Sequence, residues 1–287
     1  MGRAIGVIGF GEAGSTFARA AGWGTQARAF DIAAERRPVM ADVGVTTCDS
    51  LAEALEGASL VLSLVTGDQA LEVARGSAPL LEPGALFCDM NSVAPETKRK
   101  GAAAVAGGKG RYVDTAVLAP VNPARLAVPL LLSGPDAGEA GEALQAAGFG
   151  NVREAGDAVG RASAIKLVRS VMVKGFEALT AEMILAAQAE GVVDDVLASL
   201  DASEKAISWR ERADYNLDRM LVHGRRRAVE MGEAAEMLRA LGIAPLMTDN
   251  TVRRQQALGE LEISPPPGGL EAKLAAIAAI HASKGEA

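Results

Sequence analysis

The residues Gly9-Phe10-Gly11-Glu12-Ala13-Gly14 set three glycines at the spacing G-x-G-x-x-G, directly after the apolar run Ala4–Ile8 and before an alanine-rich stretch. A strand that turns into a helix through such a loop reads as the start of a βαβ unit in a parallel sheet. The first glycine permits the tight turn, the second lets backbone approach a pyrophosphate, and the third lets helix pack on strand. Amide groups at the helix start then face the anion. A second feature belongs with the loop: Ala27–Phe30 ends at Asp31, twenty residues after Gly11, where an acid accepts hydrogen bonds from an adenosine ribose.

Glycine is spread unevenly, with 23 of 32 in residues 1–160, so tight turns crowd the first half. There, Ala4–Phe10, Gln26–Asp31, Leu60–Val65, Leu86–Met90 and Tyr112–Ala116 read as strands, and Glu12–Ala21, Gly67–Leu81 and Pro95–Val105 as helices. Val128–Ser133 and Asn151–Glu154 read as further strands of the same sheet, separated by a helix at Ala137–Ala147. From Ala158 the pattern changes to Ala, Leu, Glu, Arg and Met with apolar residues every three or four positions. Ala158–Glu190 has no proline and reads as one long helix; Gly242 followed by Pro245 marks a later stop, and Leu270–Ser283 a last helix. The expected fold is α/β: a Rossmann-type, mostly parallel sheet domain over residues 1–157, then an all-α domain over residues 158–287.

Composition removes several classes of function. The 29 basic and 36 acidic residues give a net charge of −7, which argues against a general nucleic-acid or anionic-membrane binder. Residues 1–160 hold 13 basic and 18 acidic residues, the remainder 16 and 18, so the helical part is nearly balanced and compatible with a small anionic ligand. The longest apolar runs fall far short of the ~20 residues of a membrane span. Two cysteines, Cys48 and Cys88, read as small buried hydrophobes in a reducing compartment, and two histidines do not make a metal site. Met1-Gly2-Arg3 leads into the first strand without a secretory pattern, so a cytoplasmic protein is expected.

The cofactor candidates are therefore Gly9, Phe10, Gly11, Glu12, Ala13, Gly14 and Asp31, joined by Val65 and Thr66 where the strand Leu60–Val65 ends. Asp31 repels a 2′-phosphate and favours NAD over NADP. Arg36 and Arg37 stand close enough in sequence to neutralise such a phosphate, although a pair of solvated helix arginines is the simpler reading.

Gly6-Val7-Ile8-Gly9-Phe10-Gly11, Asp89-Met90-Asn91-Ser92 and Gly160-Arg161-Ala162-Ser163-Ala164-Ile165-Lys166-Leu167 together resemble the β-hydroxyacid dehydrogenase family, which includes 3-hydroxyisobutyrate and 6-phosphogluconate dehydrogenases. The resemblance implies that Lys166 is the catalytic acid/base and that Asn91 and Ser92 lie at the nicotinamide end, Ser92 toward substrate. It also implies a homodimer and a substrate held between the two domains. Independently of the resemblance, Lys166 stands in a small, apolar stretch, where desolvation lowers a lysine's pKa toward the range of a general base. A lysine snorkelling from a helix surface is the alternative.

Three departures from the family pattern bear on substrate. Ser170, one turn beyond Lys166, replaces the usual asparagine. The substrate loop, usually Ser-Gly-Gly, reads Ala119-Pro120-Val121-Asn122-Pro123; prolines donate no N–H, which leaves Val121 and Asn122 as the substrate candidates there. Near His223-Gly224-Arg225-Arg226-Arg227-Ala228-Val229-Glu230 the usual Lys-Asp pair is missing, which resembles a divergent branch whose C-terminal domain has no assigned function. Consecutive arginines on a helix diverge, so at most one or two of Arg225–Arg227 face any one pocket. The expected activity is hydride transfer between NAD(P) and a small, anionic hydroxy acid or sugar acid. Reduction of an imine or unusual carbonyl, or a dinucleotide-binding sensor without turnover, remain open.

Overall fold

The computed structural model describes residues 4–203 and 206–285; Met1-Gly2-Arg3, read above as lacking a leader, lie outside the described residues. Eight strands form one sheet: β1 (Ile5–Ile8), β2 (Ala27–Phe30), β3 (Thr46–Thr47), β4 (Leu60–Ser63), β5 (Leu86–Asp89), β6 (Arg111–Val117), β7 (Leu130–Ser133) and β8 (Val152–Glu154). Among them run α1 (Glu12–Ala21), α2 (Arg37–Val43), α3 (Leu51–Leu55), α4 (Ala70–Ser77), α5 (Pro95–Ala106) and α6 (Ala137–Ala146). The chain continues as α7 (Arg161–Glu190), α8 (Val193–Ser203), α9 (Trp209–Ala240), α10 (Leu246–Gly259) and α11 (Leu270–Gly285).

The sheet order is β3-β2-β1-β4-β5-β6-β7-β8, parallel except for the antiparallel β6–β7 pair. The chain steps outward from β1 on one side and returns to β4 on the other, so the carboxyl ends of β1 and β4 border the crevice of a doubly wound sheet. Cores lie on both faces: α1, α2 and α6 cover one with Phe17, Trp23, Met40 and Phe149, and α3, α4 and α5 cover the other with Leu55, Phe87 and Val105. Burial on both faces explains why β1, β4, β5 and β7 have no exposed position. The ring of Phe17 meets Phe149 edge-on at 4.9 Å, an arrangement worth about 0.5–1.5 kcal/mol beyond area burial, and it anchors the helix that leaves the glycine loop.

The expected strands and helices are present with ends shifted by a few residues: β1 stops at Ile8, while β6, α5 and α11 run past the expected ends. Gly67–Leu81 resolves into α4 and a 3-10 turn at Ala78–Leu80, and the long helix begins at Arg161. β3 and α3 are additions that composition did not mark, being two and five residues long, whereas α2 carries Arg37 of the expected helix arginines and a 3-10 turn before it carries Arg36. The chain divides into two compact units, Met1–Val171 and Met172–Ala287, so the first turns of α7 belong with the sheet. In the second unit α10 packs along α9, and Gly242, with φ of +73°, ends α9 where a left-handed residue was expected. Among the described residues no helix is long and apolar enough to cross a membrane, and no group of His, Cys, Asp and Glu is placed to hold a metal ion.

Candidate functional site

The three glycines of the loop have three different reasons to be glycine. Gly9 has φ of +88°, and a Cβ there would lie 2.4 Å from the Leu64 carbonyl oxygen, so the turn out of β1 is closed to other residues. A Cβ on Gly14 would lie 2.5 Å from the Gly9 carbonyl oxygen, which is the contact between helix and loop. A Cβ on Gly11 would meet nothing within 4 Å. Gly11 is thus not required by the protein's own packing, and the space before the first turn of α1 is open to a ligand.

Asp31, at the carboxyl end of β2, uses both carboxylate oxygens on backbone: Phe10 N–H donates to Oδ2 at 2.6 Å and Ala33 N–H to Oδ1 at 2.9 Å. It also lines a cleft of about 440 Å³ with Gly9, Gly11, Val65, Thr66 and Arg36. The first cofactor candidates thus converge at the β1–β4 switch point, and Arg36 joins them. Phe10 and Ala13 contribute differently from their neighbours. The Phe10 side chain is wholly buried in the core and Ala13 packs against it, so only backbone is offered to the cleft there. Val121 likewise packs against the core, while Asn122 Nδ2 donates to Glu12 Oε1 at 3.1 Å and ties the proline-flanked loop to the start of α1.

A polar rung crosses the sheet beside this crevice. The strand register sets Ser63 opposite Asp89, Asp89 opposite Asp114, and Asp114 opposite Ser133. Two carboxylates side by side in a buried sheet repel each other, and a cation from α5 offsets this. Lys98, with no exposed surface, donates from Nζ to the Asp89 carbonyl oxygen at 2.5 Å and lies 3.0 Å from Asp89 Oδ1 and 3.5 Å from Asp114 Oδ1. Tyr112 Oη donates to Asp89 Oδ2 at 2.6 Å, and its hydroxyl titrates far above the usual range, through burial first and the Asp89 charge second. Gly101 makes room for that ring, since a Cβ there would stand 3.0 Å from it.

The rung also fixes the beginning of α7. Asp114 Oδ2 accepts from the N–H groups of Gly160 at 3.1 Å and Ser163 at 3.0 Å, and Oδ1 accepts from Ser163 Oγ at 2.6 Å. Ser133 Oγ accepts from Ala162 N–H at 3.0 Å while donating to Asp114 Oδ2 at 3.0 Å. A carboxylate therefore satisfies amides that a helix start leaves open, where the helix dipole also favours negative charge. Gly160, with φ of +94° and a would-be Cβ 3.0 Å from the Pro95 carbonyl oxygen, seats this start against α5.

One turn on, Lys166 Nζ donates to Ser92 Oγ, joining residues 74 apart in sequence. Asn91, next to Ser92, is buried: Nδ2 donates to Asp89 Oδ1 at 2.7 Å and to Ser63 Oγ at 3.0 Å, while Oδ1 is buried without a partner. Ser170 follows Lys166 by four residues on the same helix face, half-buried. The open space at Gly11 and the unpaired Asn91 Oδ1 both fit a bound dinucleotide, the one admitting phosphates and the other accepting from a hydroxyl or amide. Lys98, Tyr112 and Ser163 were not expected at the site. A signal for Lys98 existed: with Gly101 and Val105 it forms the buried i, i+3, i+7 face of α5, although its neighbours Arg99 and Lys100 make the run look solvated. Cys88, adjacent to the rung, is pushed up to about 12 by burial and is no nucleophile near neutrality.

Residues 4–148 match the family described as the NAD binding domain of 6-phosphogluconate dehydrogenase, and residues 187–258 match a domain of unknown function, DUF1932. The chain belongs to this 6-phosphogluconate dehydrogenase-type NAD-binding family. The chain is 37% identical to a conserved hypothetical protein from Sinorhizobium meliloti 1021, covering 95% of this chain and 93% of that one with a TM-score of 0.61. It is 32% identical to a conserved protein of unknown function described as structurally similar to 3-hydroxyacid dehydrogenases, covering 89% of this chain and 96% of that one at a TM-score of 0.58. An imine reductase from Streptomyces aurantiacus shares the fold, with a TM-score of 0.73 and 17% identity over 90% of this chain and 95% of its own. The architecture is that of the NAD(P)-dependent 3-hydroxyacid dehydrogenases and imine reductases.

Proposed function

We propose that the protein is an NAD(P)-dependent oxidoreductase acting on the CH–OH carbon of a small, anionic hydroxy acid or sugar acid, with Lys166 as general acid/base. The observation that carries this reading is the convergence of Lys166 Nζ on Ser92 Oγ beside the unpaired Asn91 Oδ1, on a helix start locked by Asp114. Gly9, Gly11 and Gly14 with the α1 amides hold the phosphates in this scheme, Asp31 the adenosine ribose, Val65 and Thr66 the wall between, and Asn91 the nicotinamide end. A bound nicotinamide dinucleotide would supply the hydride chemistry at the carbinol carbon. Neutral Lys166 takes the hydroxyl proton as the carbon–oxygen double bond forms, and its ammonium gives the proton back in reduction. Ser92 orients that amine, and Ser170 and Asn122 contact substrate. The functional division we assign places cofactor binding in residues 1–157 and substrate and dimer contacts in residues 158–287.

With a substrate found among 2- and 3-hydroxy acids, sugar acids and their phosphates, Lys166→Ala is expected to lower kcat by about 10²-fold or more while cofactor affinity persists. Turnover near wild type in that variant removes Lys166 from the role. Asp31 favours NAD; the ratio of NADH to NADPH affinity should fall in Asp31→Asn and rise in Arg36→Ala, because Arg36 shares the cleft. A homodimer is part of the proposal. Met172, Val173, Phe176 and Leu179 put exposed apolar side chains along α7, and sedimentation of a monomer at micromolar concentration would count against it.

A second reading is reduction of an imine. Pro120 and Pro123 carry no N–H to donate to a carboxylate and the Asn122 side-chain amide donates to Glu12, so the loop offers a hydroxy acid fewer donors than a glycine-rich loop would. NADPH consumption with cyclic imines, and none with any hydroxy acid, would decide for it.

A further inference from the structure

The helical unit holds a cavity of about 320 Å³ lined by Tyr215, Asn216, Arg219, Met220 and Arg227 of α9 and by Gln255 of α10. The α9 members recur at spacings of three, four and eight, which keeps them on one side of that helix. Gln255 reaches them because the two helices touch backbone to backbone: a Cβ on Gly224 would stand 2.3 Å from the Gln255 carbonyl oxygen, and one on Gly259 2.5 Å from Arg225 N. Two polar atoms of the cavity lining, Arg219 Nε and Gln255 Oε1, are buried without a hydrogen-bond partner, and Gln255 is only 9% exposed.

The consecutive arginines of α9 separate here as their helical positions require. Arg225 is taken by Glu262 at 2.7 Å, and it lines a different cavity together with His223 and Arg226. Arg227 faces the Gln255 cavity, and among the described residues neither it nor Arg219 has a carboxylate partner. Two guanidinium groups without a counter-charge match an oxyanion. An unmet buried acceptor beside them matches a hydroxyl on that anion, because a buried acceptor facing only further acceptors would stay unpaired.

We propose that this cavity binds a small oxyanion carrying its own O–H donor, with the anionic oxygens accepting from Arg219 and Arg227 and the hydroxyl donating to Gln255 Oε1. Hydrogen phosphate and a 2-hydroxycarboxylate share this chemistry; sulfate has the charge but no donor. The site is built from α9 and α10 alone and stands apart from the reading of Lys166.

The test is calorimetric titration of the full chain with sodium phosphate, sodium glycerate and sodium sulfate at matched ionic strength. Saturable binding of phosphate or glycerate is expected, the tighter of the two naming the source, with sulfate at least tenfold weaker. Arg219→Met and Arg227→Met should each weaken binding about tenfold or more, Arg219→Lys should restore part of it, and Gln255→Leu should abolish the preference over sulfate. Lys166→Ala should bind the anion as wild type does, so loss of the dehydrogenase reading leaves this one intact. Absence of saturable binding, or undiminished binding in Arg227→Met with its helical circular dichroism preserved, overturns the site. Sulfate binding as tightly as phosphate overturns the role of Gln255.

Discussion

Replacing Lys98 by methionine keeps most of the side-chain volume and removes one charge from the centre of the polar rung. The ammonium that is lost is fully buried, donates at 2.5 Å to the Asp89 carbonyl oxygen, and stands 3.0 and 3.5 Å from the carboxylates of Asp89 and Asp114. Removing one partner of a buried ion pair costs about 3–5 kcal/mol, because the remaining charge keeps its desolvation penalty and loses its compensation. For a unit of this size each kcal/mol lowers Tm by about 2–4 °C, so a fall on the order of 10 °C is expected. Urea unfolding in a Trp209→Phe background reports the sheet unit through Trp23, which is buried and donates from Nε1 to the Ala147 carbonyl oxygen at 2.8 Å. A Lys98→Met variant within about 1 kcal/mol of wild type at pH 7.5 would refute the claim that the lysine compensates the rung.

Gly11→Ala should leave Tm within about 1 °C of wild type or raise it, since its Cβ meets nothing, yet weaken dinucleotide binding at least tenfold; Gly14→Ala, with its Cβ 2.5 Å from backbone oxygen, should lower Tm by several degrees. Differential scanning fluorimetry with and without NADH separates the two. In the helical unit, burial raises the pKa of Glu182, but hydrogen bonds from the Thr248 hydroxyl and from the N–H groups of Met247 and Thr248 outweigh it and hold the carboxyl below its ordinary 4.5. A depressed folded pKa means stabilisation that is complete above pH 4.5 and is lost as pH falls through the lower folded value. Glu182→Gln should remove that acid-side dependence and cost about 1–2 kcal/mol at pH 7, read by urea unfolding followed through helical circular dichroism.

What could be read early were features carried by neighbours in the chain. Alternating apolar runs, the glycine turn and the acid at the end of β2 depend on spacings of one to twenty residues, and each appears where the spacing puts it. Lys166 was legible for the same reason, as a charge inside a small, apolar helix start. Residue type alone did not show that the Phe10 side chain lies inside the core and that Val121 packs against it, which leaves their backbone as the part a ligand could meet. Arg36 looked like a solvated helix charge, and only the shape of the β1–β4 crevice brings it beside Asp31.

By itself the sequence determined a mostly parallel sheet with a glycine turn after its first strand, followed by long helices, because hydrophobic period and glycine stereochemistry act locally. Only the tertiary structure decided that Ser63, Asp89, Asp114 and Ser133 form one row, that Lys98 lies under it, and that Asp114 holds the helix presenting Lys166 to Ser92. Strand register is set by the packing of whole elements. Shifting β6 by one residue would send Asp114 to the opposite face, which is why no spacing along the chain announces that row.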